Sequence, residues 1–348
     1  MKRRSFLVHG GLAMIGLGYW SATAAGQTVT EVQAKVVINA TRQQLGVDPP
    51  VLTAVALSRD GQTIATAGDD HSVRLWKADD GSMLKLLGSH DDWIRDLEFN
   101  PADGTLATAS ADRTVKIWNL ETNQEVRSMT TGEHPAFCLA FHPEGKILCV
   151  GGYDSQIRMF DTSDGKLLRE LATGDSEVRA LAMSPDGKLL ASAGRDGKIR
   201  VWSMVDYSKV RDIEAHRQRI RALVFSPDGQ QLASGGDDRR LRIWNVADGK
   251  EAASLANRSG KIHSLVYCGD HELACGTSDN AIRIWDTQTK IETARLVGHT
   301  GSVSCLDHHA GSGTLISGSF DTSARLWKLQ TGSKNDVAQQ PAADKTAK

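Results

Sequence analysis

Short apolar runs recur along this chain at a fixed period. Each unit has one apolar run, a Gly-bearing turn, a second run rich in Ala and Ser, an Asp, and an apolar–basic–apolar triplet that ends on an aromatic ring. The rings stand 42 residues apart, with one interval of 41, at Trp76, Trp118, Phe160, Trp202, Trp244, Trp285 and Trp327. Seven registered copies indicate a repeat architecture whose units bury their apolar faces only against one another.

The apolar runs have the length of strands and are separated by turn residues. In the fourth unit, Ser-Pro-Asp-Gly at 184–187 separates the runs 180–183 and 189–193. Pro presets φ and Gly tolerates positive φ, so this sequence favours a hairpin. Four short antiparallel strands per unit predict an all-β fold, a seven-bladed β-propeller of four-stranded antiparallel blades arranged around an axis.

The two ends of the repeat region predict how the ring closes. A candidate fourth strand at 83–87 follows Trp76, but only a short stretch and a polar tail follow Trp327. The β-branched segment 34–40 is predicted to supply the missing outer strand of the last blade, which leaves no unpaired edge. We therefore predict a linker at 25–33, the propeller at 34–332 and a disordered polar tail at 333–348.

Residues 1–24 have the composition of an export signal. A basic start precedes a Gly-diluted apolar run and small residues at 22–24. Arg3-Arg4-Ser5-Phe6-Leu7 is similar to a twin-arginine signal, which predicts export to a bacterial periplasm or cell envelope. The general secretory route, and a cytoplasmic location if the signal is not functional, remain open, as does pairing of the five cysteines.

The repeated unit resembles the WD-repeat, or β-transducin-like, family of seven-bladed propellers. The stretch VRALAMSPDGKLLASAGRDGKIRVW from Val178 to Trp202 carries the resemblance best, although a Trp-Asp pair survives only at Trp285-Asp286. The resemblance implies a hydrogen-bonded tetrad of His, Ser or Thr, Asp and Trp in each complete blade. By register these tetrads are His90, Thr108, Asp112 and Trp118; His216, Ser234, Asp238 and Trp244; and His299, Ser317, Asp321 and Trp327.

A His, Ser and Asp set also suggests a hydrolase, but a nucleophilic triad does not occur in three registered copies. We therefore interpret these residues as structural. The chain has no phosphate-binding Gly loop, no HExxH motif and no nucleophile elbow. The sequence predicts no catalytic residue, no metal site and no cofactor.

The resemblance also implies where a partner binds, on the face that carries the turn Asp and the loop before each first strand. The candidate partner-binding residues are Trp93, Arg95, Phe137, Tyr153, Arg179, Arg195, Arg219, Arg221 and Phe320. Trp93, Phe137 and Tyr153 are expected to form one apolar patch beside the arginines. Aromatic residues and Arg are the residues that most often dominate protein interfaces.

These features predict a non-catalytic interaction scaffold, monomeric and without a transmembrane segment, that binds another protein or an anionic envelope component. Nucleic acid is not an expected partner, because 41 Lys and Arg against 42 Asp and Glu give a net charge of −1. The alternative is a periplasmic propeller enzyme with its site at the central channel.

Overall fold

Every regular element is a β-strand in the residues described by the computed structural model, which are 21–24, 27–39, 48–174, 177–255 and 260–329. Three strands precede the first complete repeat: β1 (Ser21–Ala24), β2 (Gln27–Val32) and β3 (Val36–Asn39). The predicted polar tail at 333–348 and most of the predicted export signal lie outside the described residues.

Seven blades follow around the ring, and each complete blade has four strands in antiparallel order. Blade 1 contains β4 (Leu52–Leu57), β5 (Thr63–Gly68), β6 (Ser72–Lys77) and β7 (Met83–Ser89). Blade 2 contains β8 (Ile94–Phe99), β9 (Leu106–Ser110), β10 (Thr114–Asn119) and β11 (Gln124–Thr130). Blade 3 contains β12 (Ala136–Phe141), β13 (Ile147–Gly152), β14 (Gln156–Asp161) and β15 (Leu167–Ala172). Blade 4 contains β16 (Val178–Met183), β17 (Leu189–Gly194), β18 (Lys198–Ser203) and β19 (Lys209–Glu214).

The other three blades repeat this order. Blade 5 contains β20 (Ile220–Phe225), β21 (Gln231–Gly236), β22 (Leu241–Asn245) and β23 (Glu251–Leu255). Blade 6 contains β24 (Ile262–Tyr267), β25 (Glu272–Thr277), β26 (Ile282–Asp286) and β27 (Ile291–Leu296). Blade 7 contains β28 (Val303–His309), β29 (Thr314–Ser319) and β30 (Ser323–Lys328), and β3 completes it.

The predicted fold class is confirmed, including the closing strand. β3 pairs antiparallel with β30, with Val36 opposite Leu326 and Asn39 opposite Ser323. Ile38 points into the core that blades 7 and 1 share, and it is only 4% exposed. The strand upstream of blade 1 thus belongs to blade 7, as the missing outer strand after Trp327 predicted.

Seven hydrophobic cores lie between neighbouring blades rather than inside single blades. The aromatic ring that ends each third strand packs against the preceding blade. Trp118 of blade 2, for example, packs with Ala65 and Leu75 of blade 1. Small residues on β5 leave room for this ring. One blade therefore has no core of its own, in agreement with the repeat logic of the sequence.

The segment before β3 forms strands that the sequence did not predict. β1 and β2 form a hairpin, and β2 runs parallel to β27, with Thr30 opposite Ala294 and Val32 opposite Leu296. The sheet of blade 6 thus has six strands. Within the predicted linker, Gln27–Val32 covers the outer edge of blade 6 before the chain crosses to blade 7.

The alternating strand directions give the ring two distinct faces. The loops before the first strands and the hairpins between second and third strands lie on one face, which we call the entry face. The hairpins between first and second strands, and between third and fourth strands, lie on the opposite face. The first strands surround a central channel with a cavity volume of about 900 Å³.

Candidate interaction face and channel mouth

Three blades contain a continuous hydrogen-bonded chain of four side chains. In blade 5, His216 Nδ1 lies 2.9 Å from Asp238 Oδ1, His216 Nε2 lies 2.7 Å from Ser234 Oγ, and the Trp244 indole donates to that Oγ at 2.8 Å. Blade 2 repeats this with His90, Thr108, Asp112 and Trp118, and blade 7 with His299, Ser317, Asp321 and Trp327.

The chemistry of this chain is structural. Burial raises the pKa of the Asp238 carboxyl, but the hydrogen bond and charge of His216 outweigh it and lower the pKa to about 2. The hydroxyls of Thr108, Ser234 and Ser317 are fully buried, and each accepts an indole N–H. A buried hydroxyl that already serves as an acceptor cannot reach a substrate carbonyl.

In the four blades without a registered tetrad histidine, a third-strand arginine binds the turn Asp, as Arg242 also does beside His216 in blade 5. The pairs are Arg74–Asp70 at 2.5 Å, Arg158–Asp154 at 2.7 Å, Arg200–Asp196 at 2.6 Å and Arg283–Asp279 at 2.6 Å. These ion pairs lie within one blade, because a third-strand Arg reaches back four residues to the turn Asp.

Blades 3 and 6 lack part of the polar set. Phe160 stands where other blades have Trp, and Val150 where they have a hydroxyl. In blade 6 the indole Nε1 of Trp285 is buried without a hydrogen-bond partner among the described residues, because Cys275 occupies the hydroxyl position. Arg258, which stands at the His position of blade 6, lies outside the described residues.

The entry face displays large aromatic side chains that the repeat does not require. Trp93 is 43% exposed, Tyr153 55% and Phe320 50%. Backbone hydrogen bonds between the turn and the loop before the first strand fix two of them: Tyr153 N donates to the Pro135 carbonyl at 3.0 Å, and Phe320 N to the Ser302 carbonyl at 2.9 Å. These rings are therefore presented by rigid connections.

The structure brings part of the predicted apolar patch together. The rings of Phe137 and Tyr153 meet edge to face with centroids 6.1 Å apart, and His134 stacks on Tyr153 at 6.3 Å. Trp93 lies instead against the Arg95 guanidinium, 4.7 Å from the ring centroid. Phe320 lies 6.4 Å from the His263 ring on the other side of the channel.

The predicted arginines are largely neutralised by acids. Arg179 pairs with the buried Glu177 at 3.0 Å and stacks over the Phe137 ring at 3.6 Å. Arg219 approaches the same carboxylate at 2.8 Å, as an ion pair whose angles do not meet those of a hydrogen bond. Arg221 pairs with Asp237 at 2.6 Å, whereas Arg195 is exposed.

Three carboxyl groups in the channel wall were not predicted from the sequence. Asp96, Glu98 and Asp307 occupy first-strand positions that other blades fill with small or apolar residues. Each accepts a backbone N–H from the next blade, from Leu139 at 2.9 Å, Phe141 at 3.2 Å and Leu57 at 2.7 Å respectively. They cap inner-edge donors that no further strand can pair. The break in the apolar pattern was the signal that would have identified them.

Other candidate chemistries lack a supporting arrangement. Within the described ranges no three His, Cys, Asp or Glu side chains are placed to hold a metal ion. All five cysteines are free thiols, and burial raises the pKa of Cys149 to about 12. No helix long and apolar enough to cross a membrane occurs in the part of the chain that the structure describes.

Comparison with protein families agrees with this architecture. Residues 94–256 match the second β-propeller of echinoderm microtubule-associated proteins. Residues 46–77, 249–286 and 290–328 match the WD domain, G-beta repeat. The chain carries WD40 repeats. The two matches together cover parts of all seven blades of the propeller.

Individual relatives match only short stretches of the chain. The nuclear distribution protein PAC1 of Mycosarcoma maydis is 39% identical over 62 residues, which are 18% of this chain and 14% of that protein. PAC1 of Cryptococcus neoformans var. neoformans serotype D (strain JEC21) is 36% identical over 63 residues, with the same coverage of both chains. PAC1 of Coprinopsis cinerea is 39% identical over 44 residues, 13% of this chain and 10% of that protein.

These relatives contradict the predicted location in a bacterial periplasm or cell envelope. They are fungal proteins named for nuclear distribution. The prediction depended on an arginine pair, a Gly-diluted apolar run and small residues, a combination with little sequence specificity. Of the predicted signal, only Ser21–Ala24 is described, and it pairs with β2.

Proposed function

We propose that this WD40 propeller is a non-catalytic scaffold that binds another protein through its entry face. One observation carries the proposal: Trp93 and Tyr153 are large and about half exposed, yet apart from Phe320 in the Tyr153 slot of blade 7 the other blades fill these two slots with unrelated residues. The fold does not need these rings. Exposed aromatic residues beside arginines are typical of binding hot spots.

The surroundings of the rings strengthen this proposal. Phe137 and Tyr153 form a contiguous apolar surface, and cation–π contacts hold Arg95 and Arg179 against neighbouring rings. Such preorganisation reduces the side-chain entropy that a partner must overcome on binding. The matched families fit an interaction role, since one is described by its association with microtubules and the relatives by nuclear distribution.

The alternative of an enzyme at the central channel receives less support. The channel carboxyls Asp96, Glu98 and Asp307 accept backbone N–H groups of neighbouring blades, so they hold blades together. The serine and threonine hydroxyls of the tetrads are buried inside blades. We therefore assign no catalytic residue, and we retain a monomeric protein without a nucleic-acid partner as part of the proposal.

Site-specific photo-crosslinking tests the face. A benzophenone amino acid replaces Tyr153 on the entry face or, as a matched control, Val205 in the β18–β19 hairpin on the opposite face, which is 78% exposed. In an extract of the source cells we expect a discrete crosslinked species from position 153 and none from position 205. A crosslink from position 205 alone would move the partner to the opposite face, and none from either position would argue against a scaffold.

A further inference from the structure

Seven equivalent side chains surround the mouth of the channel on the entry face. Each is the second residue of a first strand, so the ring symmetry places all seven at the same height: Thr53, Arg95, Phe137, Arg179, Arg221, His263 and Ser304. With Phe320 they enclose a cavity of about 150 Å³. Three of the seven are arginines, which is a concentration of positive charge in a chain of net charge −1.

The three arginines differ in how their charge is balanced. Arg179 pairs with Glu177, and Arg221 pairs with Asp237. Among the described residues Arg95 forms no ion pair with an Asp or Glu, and its guanidinium lies over the Trp93 ring; its buried Nε, like that of Arg179, has no hydrogen-bond partner there. Burial and the nearby charge of Arg179 lower the pKa of Arg95 below its usual range. Arg95 is therefore a half-buried cation without an ion pair among the described residues, although the nearby charge of Asp92 opposes the lowering of its pKa.

We propose that this mouth binds a carboxylate side chain of a partner protein, held by the guanidinium groups of Arg95 and Arg179, with apolar side chains on either side of it against Phe137 and Phe320. The inference rests on the proposed function and names the chemistry of the partner: an acidic segment with apolar neighbours. An arginine fork matches a carboxylate in geometry, and the bond is strong because both groups are charged.

The same surroundings disfavour a polyanion. A nucleic-acid backbone requires a continuous track of unpaired positive charge, whereas Glu177 and Asp237 flank this mouth and neutralise its other arginines. Burial and the charge of Arg221 lower the pKa of His263 to about 4, so that side chain adds no cation at neutral pH. The mouth therefore has capacity for one carboxylate rather than for a chain of phosphates.

Paired peptides test the proposal by isothermal titration calorimetry with the full chain. The probes are acetyl-Gly-Leu-Glu-Leu-Gly-amide and the same peptide with Gln in place of Glu. We expect the Glu peptide to bind about tenfold more tightly, on the scale of one charge-assisted hydrogen bond. Arg95→Gln should remove this preference, whereas Arg217→Gln, the same charge change at an exposed residue outside the mouth, should keep it.

Three outcomes would overturn the proposal: equal affinity of the two peptides or no binding of either, a preference that survives Arg95→Gln and Arg179→Gln, or inorganic phosphate that binds as tightly as the Glu peptide. The last result would indicate a free-anion site. A crosslinked partner lost on Trp93→Ala but indifferent to Arg95→Gln would refute the carboxylate and leave the proposed function intact. A partner indifferent to both changes would refute the proposed function.

Discussion

The carboxylate of Asp96 in blade 2 accepts a 2.9 Å hydrogen bond from the backbone N–H of Leu139 in blade 3. Leu139 lies on the innermost strand of its blade, where the inner edge faces the channel and has no strand to pair with. Glu98 repeats the contact one step along, to the N–H of Phe141. Two acids of one blade therefore fasten the inner edge of the next.

These acids predict a pH-dependent stability. Burial raises the pKa of Asp96 to about 7 and, together with the Asp96 charge, that of Glu98 to about 8, against hydrogen bonds that lower both. Both folded values exceed those of the unfolded chain, so the folded protein holds more protons between pH 4 and 8. The stabilisation from these groups is complete below about pH 4 and is lost as the pH rises through 7 and 8.

Chemical denaturation at pH 5, 6, 7 and 8 measures this effect. The free energy of unfolding of the wild type should fall with pH more steeply than that of Asp96→Asn, by up to about 1 kcal/mol per pH unit. The Asn carbonyl still accepts the Leu139 N–H, which keeps the contact without the titration. Parallel curves for the two proteins would contradict the prediction.

Ring closure predicts a sharp difference between two adjacent residues of β3. Ile38 is 4% exposed in the core of blades 7 and 1, while Val37 is 41% exposed. Ile38→Ala should lower the free energy of unfolding by ~2–4 kcal/mol, the cost of a cavity in a packed core. Val37→Ala should change it by less than ~0.5 kcal/mol. Equal effects in urea unfolding would show that β3 does not close the ring in solution.

The unpartnered indole of blade 6 predicts a stabilising substitution. Cys275→Ser places an oxygen where other blades bond the Trp indole at 2.8–2.9 Å, so the Trp285 indole should gain an acceptor. The free energy of unfolding should rise by about 1 kcal/mol. Cys149→Ser serves as the matched control, because that equally buried position packs among apolar residues. The Cys149→Ser substitution should lower the free energy of unfolding by ~1–3 kcal/mol. Thermal melting of both variants decides, and a loss in both would refute the indole argument.

The entry face predicts a separation of binding from stability. Trp93→Ala or Tyr153→Ala should weaken the partner complex by ~1–3 kcal/mol while the melting temperature stays unchanged, because both rings lie outside the cores. Val205→Ala, on the opposite face, is the control and should alter neither. Asp238→Ala should lower the melting temperature without a specific effect on the partner complex, since it removes the carboxylate that His216 and Arg242 share.

The repeat made the fold predictable because seven copies fix one register. Each turn Asp and ring aromatic sits at the same point of its blade, so a single periodic pattern predicted the strands. The WD-repeat resemblance implied the tetrad residues at that register, and the missing fourth strand after Trp327 predicted the closing strand. The pattern contains no comparable information on contacts between unlike residues. Glu177 binds arginines of two blades, and nothing in the spacing indicates that pairing.

The N-terminal hairpin shows the same limit from another side. β2 has no counterpart elsewhere in the chain, so the repeat could not predict its parallel pairing with β27. Asp96, by contrast, was visible as a charged residue in a slot filled elsewhere by Ala, Cys or Ser. A departure from a register that is otherwise constant is thus a usable signal for a contact between neighbouring units.

The route of the chain start has a mechanical consequence. β2 lies on the outer edge of blade 6, and β3 lies on the outer edge of blade 7, so the segment that joins them crosses the seam between the two blades. A tension applied at the N-terminal end must separate β2 from β27 before any load reaches β3. A pulling force at that end would therefore detach β2 before it acts on the ring. The loss of β2 leaves all seven blades with four strands.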